Sequence, residues 1–191
     1  MFTYIPKKSK EIYNNKIAHR GFHYIYPENS LRAYSEAINK NMSIELDLRM
    51  TKDGYIICMH DRYTKRLLGV KGRTTKMLFN DIEKFYIKKS CEKVPLFEEV
   101  LKLIGGKVPL LIEVKGYATR EFLNKLMLLI FNYNGKVYFH AKNIFTYFFL
   151  RRIWVNKVFY ILNPFRKRFN FIKNKYYKNL KLITKYYFFY W

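Results

Sequence analysis

Residues 43–61 read S-I-E-L-D-L-R-M-T-K-D-G-Y-I-I-C-M-H-D, and the fold turns on how this stretch is read. Ile44, Leu46, Leu48 and Met50 alternate with Glu45, Asp47 and Arg49. A period of two is strand behaviour. Asp53-Gly54 then separates this run from a second apolar one, Tyr55 to Met59, as a two-residue hairpin turn does. Such a hairpin would face Lys52 with Tyr55, Met50 with Ile57 and Asp47 with His60. Glu45 lies two residues from Asp47 and projects from the same face. One local fold would therefore gather two carboxylates and an imidazole. A buried acid pair is costly unless it is paired or holds a metal. The plainer alternative is a strand with a solvated polar face.

The 191 residues suggest one domain. Half of them are hydrophobic, which excludes a disordered polyelectrolyte. Cys58 and Cys91 are too few for a disulfide framework and have no C-x-x-C partner, so reduced thiols and a cytoplasmic setting are expected. The N-terminus, M-F-T-Y-I-P-K-K-S-K, offers no long apolar run and reads as lacking a secretory signal. Neither Leu126–Phe131 nor Ile144–Leu150 approaches the ~20 apolar residues of a membrane span. The net charge of +23 is concentrated after Lys115, where Glu121 is the only acidic residue. Basic charge among aromatics attracts nucleic acid or an anionic membrane surface. The residue usage is also what an AT-rich genome favours, and that is the simpler account of the composition.

Taken in order, Lys16-Ile17-Ala18 leads as a short strand into His19-Arg20-Gly21. Asn29 or Ser30 caps a helix whose stripe is Leu31, Tyr34, Ala37 and Ile38. It ends near residues 39–41. After the hairpin stretch, Arg62 to Arg73 reads as a basic loop and Met77 to Ile87 as a weakly patterned helix. Pro95 opens a clearer helix with Leu96, Val100, Leu101 and Ile104, stopped by Gly105-Gly106. Val108 to Lys115 is a buried-type strand carrying Glu113 and Lys115 on one face near its end. Mutual pairing of the two is the simpler account; a ligand site is the sharper one, because ligands of β/α folds sit at strand carboxyl ends. Helices over 119–131 and 144–154 and strands over 136–141 and 157–162 complete the order β-α-β-β-α-α-β-α-β-α-β. Alternation of this kind argues for a mainly parallel sheet or barrel. His23 and His140 read as structural or surface groups. No P-loop or dinucleotide glycine motif is present.

The pieces H-R-G (19–21), P-E-N-S (27–30), I-E-L-D (44–47), T-K-D-G (51–54), H-D (60–61), V-P-L-F-E-E-V-L (94–101) and L-I-E-V-K (111–115) together resemble the glycerophosphodiester phosphodiesterase family. The resemblance is firm over residues 16–115 and fades after about residue 145. It implies a TIM-type (β/α) barrel with its site at the strand carboxyl ends. It also implies metal-dependent hydrolysis of a small glycerophosphodiester to glycerol 3-phosphate and an alcohol, with Mg²⁺ or Ca²⁺ as cofactor. Carried over by position, Glu45, Asp47 and Glu113 correspond to the metal carboxylates and His19 and His60 to the acid/base pair. Arg20 and Lys115 correspond to the cations that contact phosphate, with Glu28 and Asn29 supporting them. In the family's route a neighbouring glycerol hydroxyl attacks first, and water opens the resulting cyclic phosphate. The residue types suit that chemistry: carboxylates hold a hard cation, fixed positive charge meets the phosphoryl oxygens, and two imidazoles divide the proton transfers.

A full barrel of this type takes ~250 residues, and about six strands are countable here. The expected organisation is a barrel domain over 1–162, incomplete at its C-terminal side, and a basic aromatic tail over 163–191, either packed across the gap or the end of a truncated frame. The tail carries Phe169, Ile172, Tyr176 and Leu180 at helical spacing. The competing function is a non-catalytic remnant or a basic protein associated with membrane or nucleic acid. Under the enzymatic reading the partners are the small-molecule diester and an anionic membrane in peripheral contact, with no specific nucleic acid.

Overall fold

The computed structural model describes residues 2–4, 16–116, 118–141, 146, 148–150 and 158–162. The strands are β1 (Phe2–Tyr4), β2 (Ile17–Ala18), β3 (Ser43–Met50), β4 (Ile56–Cys58), β5 (Leu110–Val114), β6 (Val137–Ala141) and β7 (Val158–Leu162). The α-helices are α1 (Leu31–Asn39), α2 (Lys65–Leu68), α3 (Phe79–Ile82), α4 (Phe97–Ile104) and α5 (Arg120–Phe131), with a 3₁₀ turn at Thr74–Lys76. The sheet order is β1-β7-β6-β5-β3-β2, and β4 also pairs with β3. From β2 to β7 the neighbours along this path run parallel. β4 and β1 are antiparallel additions. The mainly parallel sheet is as expected; β1, paired to β7, was not anticipated from the sequence.

β3 is buried on both faces. Ile44, Leu46 and Leu48 belong to a core that includes Tyr34 and Ala37 of α1, Val100 and Ile104 of α4, and Phe122 and Leu126 of α5. Glu45 and Asp47 point the other way and are also buried. The solvated-face reading of this strand is thereby excluded. α1 starts where the Ser30 hydroxyl accepts the Ala33 N–H, and α5 starts on a matching Thr119 cap to Phe122.

The hairpin exists but its register differs by one residue. Met50 pairs with Ile56 and Leu48 with Cys58. The cause is the connection, which is longer than a two-residue turn. The Thr51 N–H donates to the Tyr55 carbonyl, its hydroxyl accepts the Tyr55 N–H, and Gly54 adopts φ +83°. A one-residue shift exchanges faces, so His60 does not oppose Asp47 in the ladder. It lies just past β4, where the Arg49 Nε and Nη2 both donate to its carbonyl.

The segment read as a basic loop also contains α2. Leu67 and Leu68 join Ile57, Met59, Ile82, Ile87 and Val94 in a second, smaller core. The helix expected over residues 77–87 shortens to α3. Pro95 falls outside α4, its carbonyl accepting the Cys58 N–H. Most of the helix expected over 144–154, and the whole tail from residue 163, lie outside the described residues.

Gly21 follows the His19-Arg20 pair at φ +76°, and a Cβ there would come within 2.9 Å of Ala33. Both the backbone conformation and the close approach to α1 require glycine. Gly21→Ala should lower stability by about 1–3 kcal/mol, read from the denaturant midpoint. A midpoint equal to that of the parent would show that this turn can relax without cost.

Candidate active site

The parallel register assembles the site. Asp47 of β3 pairs with Glu113 of β5, and Glu113 pairs with His140 of β6. Registered neighbours in a parallel sheet share a face, so these three side chains form one row. Glu45, two residues before Asp47, and Lys115, two residues after Glu113, add a position on either side of that row. All four acid and imidazole side chains are buried.

The charges compensate one another unevenly. Lys115 Nζ lies 2.9 Å from Asp47 Oδ1 and 2.5 Å from Glu113 Oε1. Arg20 Nε lies 3.2 Å from Asp47 Oδ2. Asn29 donates from Nδ2 to Asp47 Oδ2, and its Oδ1 accepts both the Asp47 N–H and the Tyr34 hydroxyl. Burial alone would raise the Asp47 pKa, but Lys115 and Asn29 outweigh it and hold the group below its ordinary value. Glu45 is the opposite case. Burial and the neighbouring Asp47 and Glu113 charges push it well above the carboxylate range, although the Arg20 N–H donates to its Oε2. For Lys115, the two carboxylates overcome the effect of burial and raise its pKa.

Arg20 and Asn29 both sit at φ +54°. Left-handed backbone is uncommon for arginine, more readily taken by asparagine, and clusters at functional sites. Here the Asn29 N–H donates to the Arg20 carbonyl, so the two residues hold each other in place.

His19 and His60 flank the cluster from different loops. His19 Nε2 lies 3.9 Å from Glu45 Oε2. Burial, reinforced by the adjacent Arg20 charge, lowers its pKa to about 4. Burial also lowers His60, but the Asp61 carboxylate, 2.9 Å from its Nδ1, works against the shift. Asp61 is in turn bonded to Arg66, which forks onto both carboxylate oxygens of Glu28. Glu28 closes the circuit by accepting from Arg20.

All nine residues singled out in the sequence are thus brought into one network. Three participants were missed. Asp61 carries no signal of its own beyond the H-D pair, and Arg66 reads as one more charge in a basic loop. His140 read as structural; only the register places it beside Glu113, with its Nδ1 3.4 Å from Glu113 Oε2.

Donor atoms of Glu45, Glu113 and His140 all lie within 4.8 Å of one another. Ligand atoms each about 2.0–2.4 Å from a shared ion meet that limit. The excess negative charge felt by Glu45 is what a cation would relieve. The donor set therefore fits a divalent ion.

The sequence profile of the glycerophosphoryl diester phosphodiesterase family matches residues 19–154. The chain is 32% identical over 105 residues to a glycerophosphodiester phosphodiesterase of Bacillus altitudinis, covering 51% of this chain and 43% of that protein. It is 36% identical over 107 residues to one from Caldanaerobacter subterraneus, covering 52% of this chain and 44% of that protein. The aligned part is less than half the length of these relatives. The fold is similar to an Oleispira antarctica phosphodiesterase solved with the product sn-glycerol-3-phosphate. That match has a TM-score of 0.69 and 20% identity, and covers 77% of this chain and 66% of that one. An Agrobacterium tumefaciens glycerophosphodiester phosphodiesterase gives a TM-score of 0.65 at 22% identity, covering 75% and 64%. The described residues share the TIM-type barrel architecture of these neighbours, over about three quarters of this chain.

The Arg66 bridge has a defined pH signature. Burial would raise both Asp61 and Glu28, but their bonds to Arg66 dominate and depress both pKa values. A depressed carboxylate pKa stabilises the fold above the unfolded-state value and loses that contribution as pH falls through the folded one. Arg66→Met should therefore cost stability at pH 7, by about 1 kcal/mol because the guanidinium is half exposed. The gap to the parent should close as pH drops below about 4. A gap constant from pH 7 to 3, in denaturant titrations, would assign the loss to packing instead.

Proposed function

Because the chain belongs to the glycerophosphoryl diester phosphodiesterase family, we propose that it hydrolyses glycerophosphodiesters to glycerol 3-phosphate and an alcohol with a divalent cation. The observation that carries this reading is the juxtaposition of His19 with the buried Glu45 carboxylate. It sets a proton acceptor beside a cation-holding group, as in-line displacement at phosphorus requires.

In this reading Glu45, Asp47 and Glu113 are the carboxylates that hold the cation. Asp47 shares its charge with Arg20 and Lys115. Carboxylate oxygens of this kind suit Mg²⁺ or Ca²⁺. When bound, the ion neutralises charge on the phosphoryl oxygens. Arg20 and Lys115 supply fixed positive charge toward the same oxygens, and their carboxylate partners keep them oriented before substrate arrives. Glu28 and Asn29 position Arg20 and Asp47 through the hydrogen bonds described above.

The two imidazoles divide the proton transfers. Burial, and after it the Arg20 charge, disfavours a proton on His19, so His19 is the base that takes the proton of the attacking glycerol hydroxyl. Burial lowers His60 as well, but the Asp61 carboxylate on its ring opposes that shift, so of the two imidazoles His60 is the acid that returns a proton to the departing alkoxide. Water then opens the cyclic phosphate with the roles reversed. Arg49 on the His60 carbonyl, and Asp61 on its ring, fix the direction in which that proton is delivered.

No helix among the described residues is long and apolar enough to cross a membrane. The basic excess of the chain would favour peripheral contact with anionic lipid.

The test is release of glycerol 3-phosphate from glycerophosphocholine by the full chain. Turnover should stop on addition of EDTA and return with excess Mg²⁺ or Ca²⁺. His19→Ala should lower kcat by about 10²–10⁴-fold, the usual contribution of a general base. Turnover that survives EDTA, or is unchanged by His19→Ala, would contradict the assignment.

A further inference from the structure

His140 has no part in the proton transfers assigned to His19 and His60, yet it is only 5% exposed and stands in the same row as Asp47 and Glu113. Its strand, β6, extends the parallel register that sets the carboxylates side by side. Its Nδ1 faces Glu113 Oε2 at 3.4 Å, and one of its ring nitrogens falls within 4.8 Å of ligand oxygens from both Glu45 and Glu113. Asp47 is engaged differently: Lys115 and Arg20 both contact its carboxylate. Two cationic partners reduce the charge Asp47 can lend to an ion. Among the described residues, the donors that come mutually within 4.8 Å are one imidazole nitrogen and two carboxylates.

We infer that His140 is a direct nitrogen ligand of the site, and that this chain favours borderline first-row ions such as Mn²⁺, Co²⁺ or Zn²⁺ over Mg²⁺ and Ca²⁺. Carboxylates accept all of these ions, whereas an imidazole adds binding energy for the transition metals and little for the hard alkaline earths. A set of one nitrogen and two carboxylates differs from the all-oxygen surroundings that Mg²⁺ and Ca²⁺ favour, because its imidazole is a ligand type suited to first-row transition ions. The lysine beside the row reinforces this choice. By neutralising part of the carboxylate charge, Lys115 weakens the electrostatic attraction on which Mg²⁺ and Ca²⁺ depend most. The inference rests on the cation reading above and adds to it the class of ion and the residue that selects it.

The experiment uses the full chain, His140→Gln and Glu113→Gln, with circular dichroism showing that each variant is folded. Co²⁺ binding is read from its visible d–d absorption, and Mg²⁺ binding by calorimetry. His140→Gln should lose about 10–100-fold in Co²⁺ affinity, at least the loss seen when a supporting group around a metal is removed. Its Mg²⁺ affinity should stay within about threefold of the parent. Glu113→Gln should lose both ions. Unchanged Co²⁺ affinity and spectrum in His140→Gln, with both ions lost in Glu113→Gln, would overturn the role of His140 while leaving the cation site standing. Equal loss of both ions in His140→Gln would overturn the selectivity. A parent chain that binds neither ion would overturn the inference together with the cation reading.

Discussion

Three carboxylates, Glu45, Asp47 and Glu113, are buried on one face of two adjacent parallel strands, and the site is arranged around the cost of that burial. Unpaired, each would be strongly unfavourable. Lys115 lies between two of them, Arg20 reaches the third side of Asp47, and Asn29 satisfies what remains. Glu45 is left with only a backbone N–H from Arg20 and a distant His19 among these contacts. The residual imbalance falls on the side of the cluster that faces both the imidazole and the cation donors. Charge compensation is thus complete enough to keep the strands together and incomplete where a ligand would act.

The same logic extends outward through a second circuit. Glu28, Arg66, Asp61 and His60 form a chain of ion pairs and hydrogen bonds that returns to Arg20. It ties the turn after β2 to the loop after β4, two segments far apart in sequence. Arg20 belongs to both circuits, which explains why its backbone is held in an uncommon conformation. Relaxing that residue would release the Asp47 contact and the Glu28 contact together. Local strain is here offset by several interactions, each modest by itself.

Much of this was legible in the sequence. The alternation of residues 44–50 identifies β3 and puts Glu45 and Asp47 on one face, while Asn29-Ser30 marks a helix start through a side-chain cap. What sequence could not supply was the register between strands. Periodicity fixes which face a residue takes but not which residue of another strand lies beside it. That is why the two-residue turn pairs His60 with Asp47, whereas the Thr51–Tyr55 closure shifts the hairpin by one position. It is also why His140 looked unremarkable in V-Y-F-H-A: nothing within β6 signals that its neighbour across the ladder is Glu113. Arg66 was hidden for a related reason, since its partners Glu28 and Asp61 come from different segments. Leu67 and Leu68 carried the one local hint that its surroundings are folded.

The central claim is that Glu45 and Glu113 jointly hold a divalent cation beside His19. The most direct measurement is anomalous diffraction at the manganese edge from crystals of the full chain grown with Mn²⁺. A peak about 2.0–2.4 Å from oxygens of both Glu45 and Glu113 is the predicted result. Full occupancy elsewhere on the chain, with none between these two carboxylates, would contradict the account.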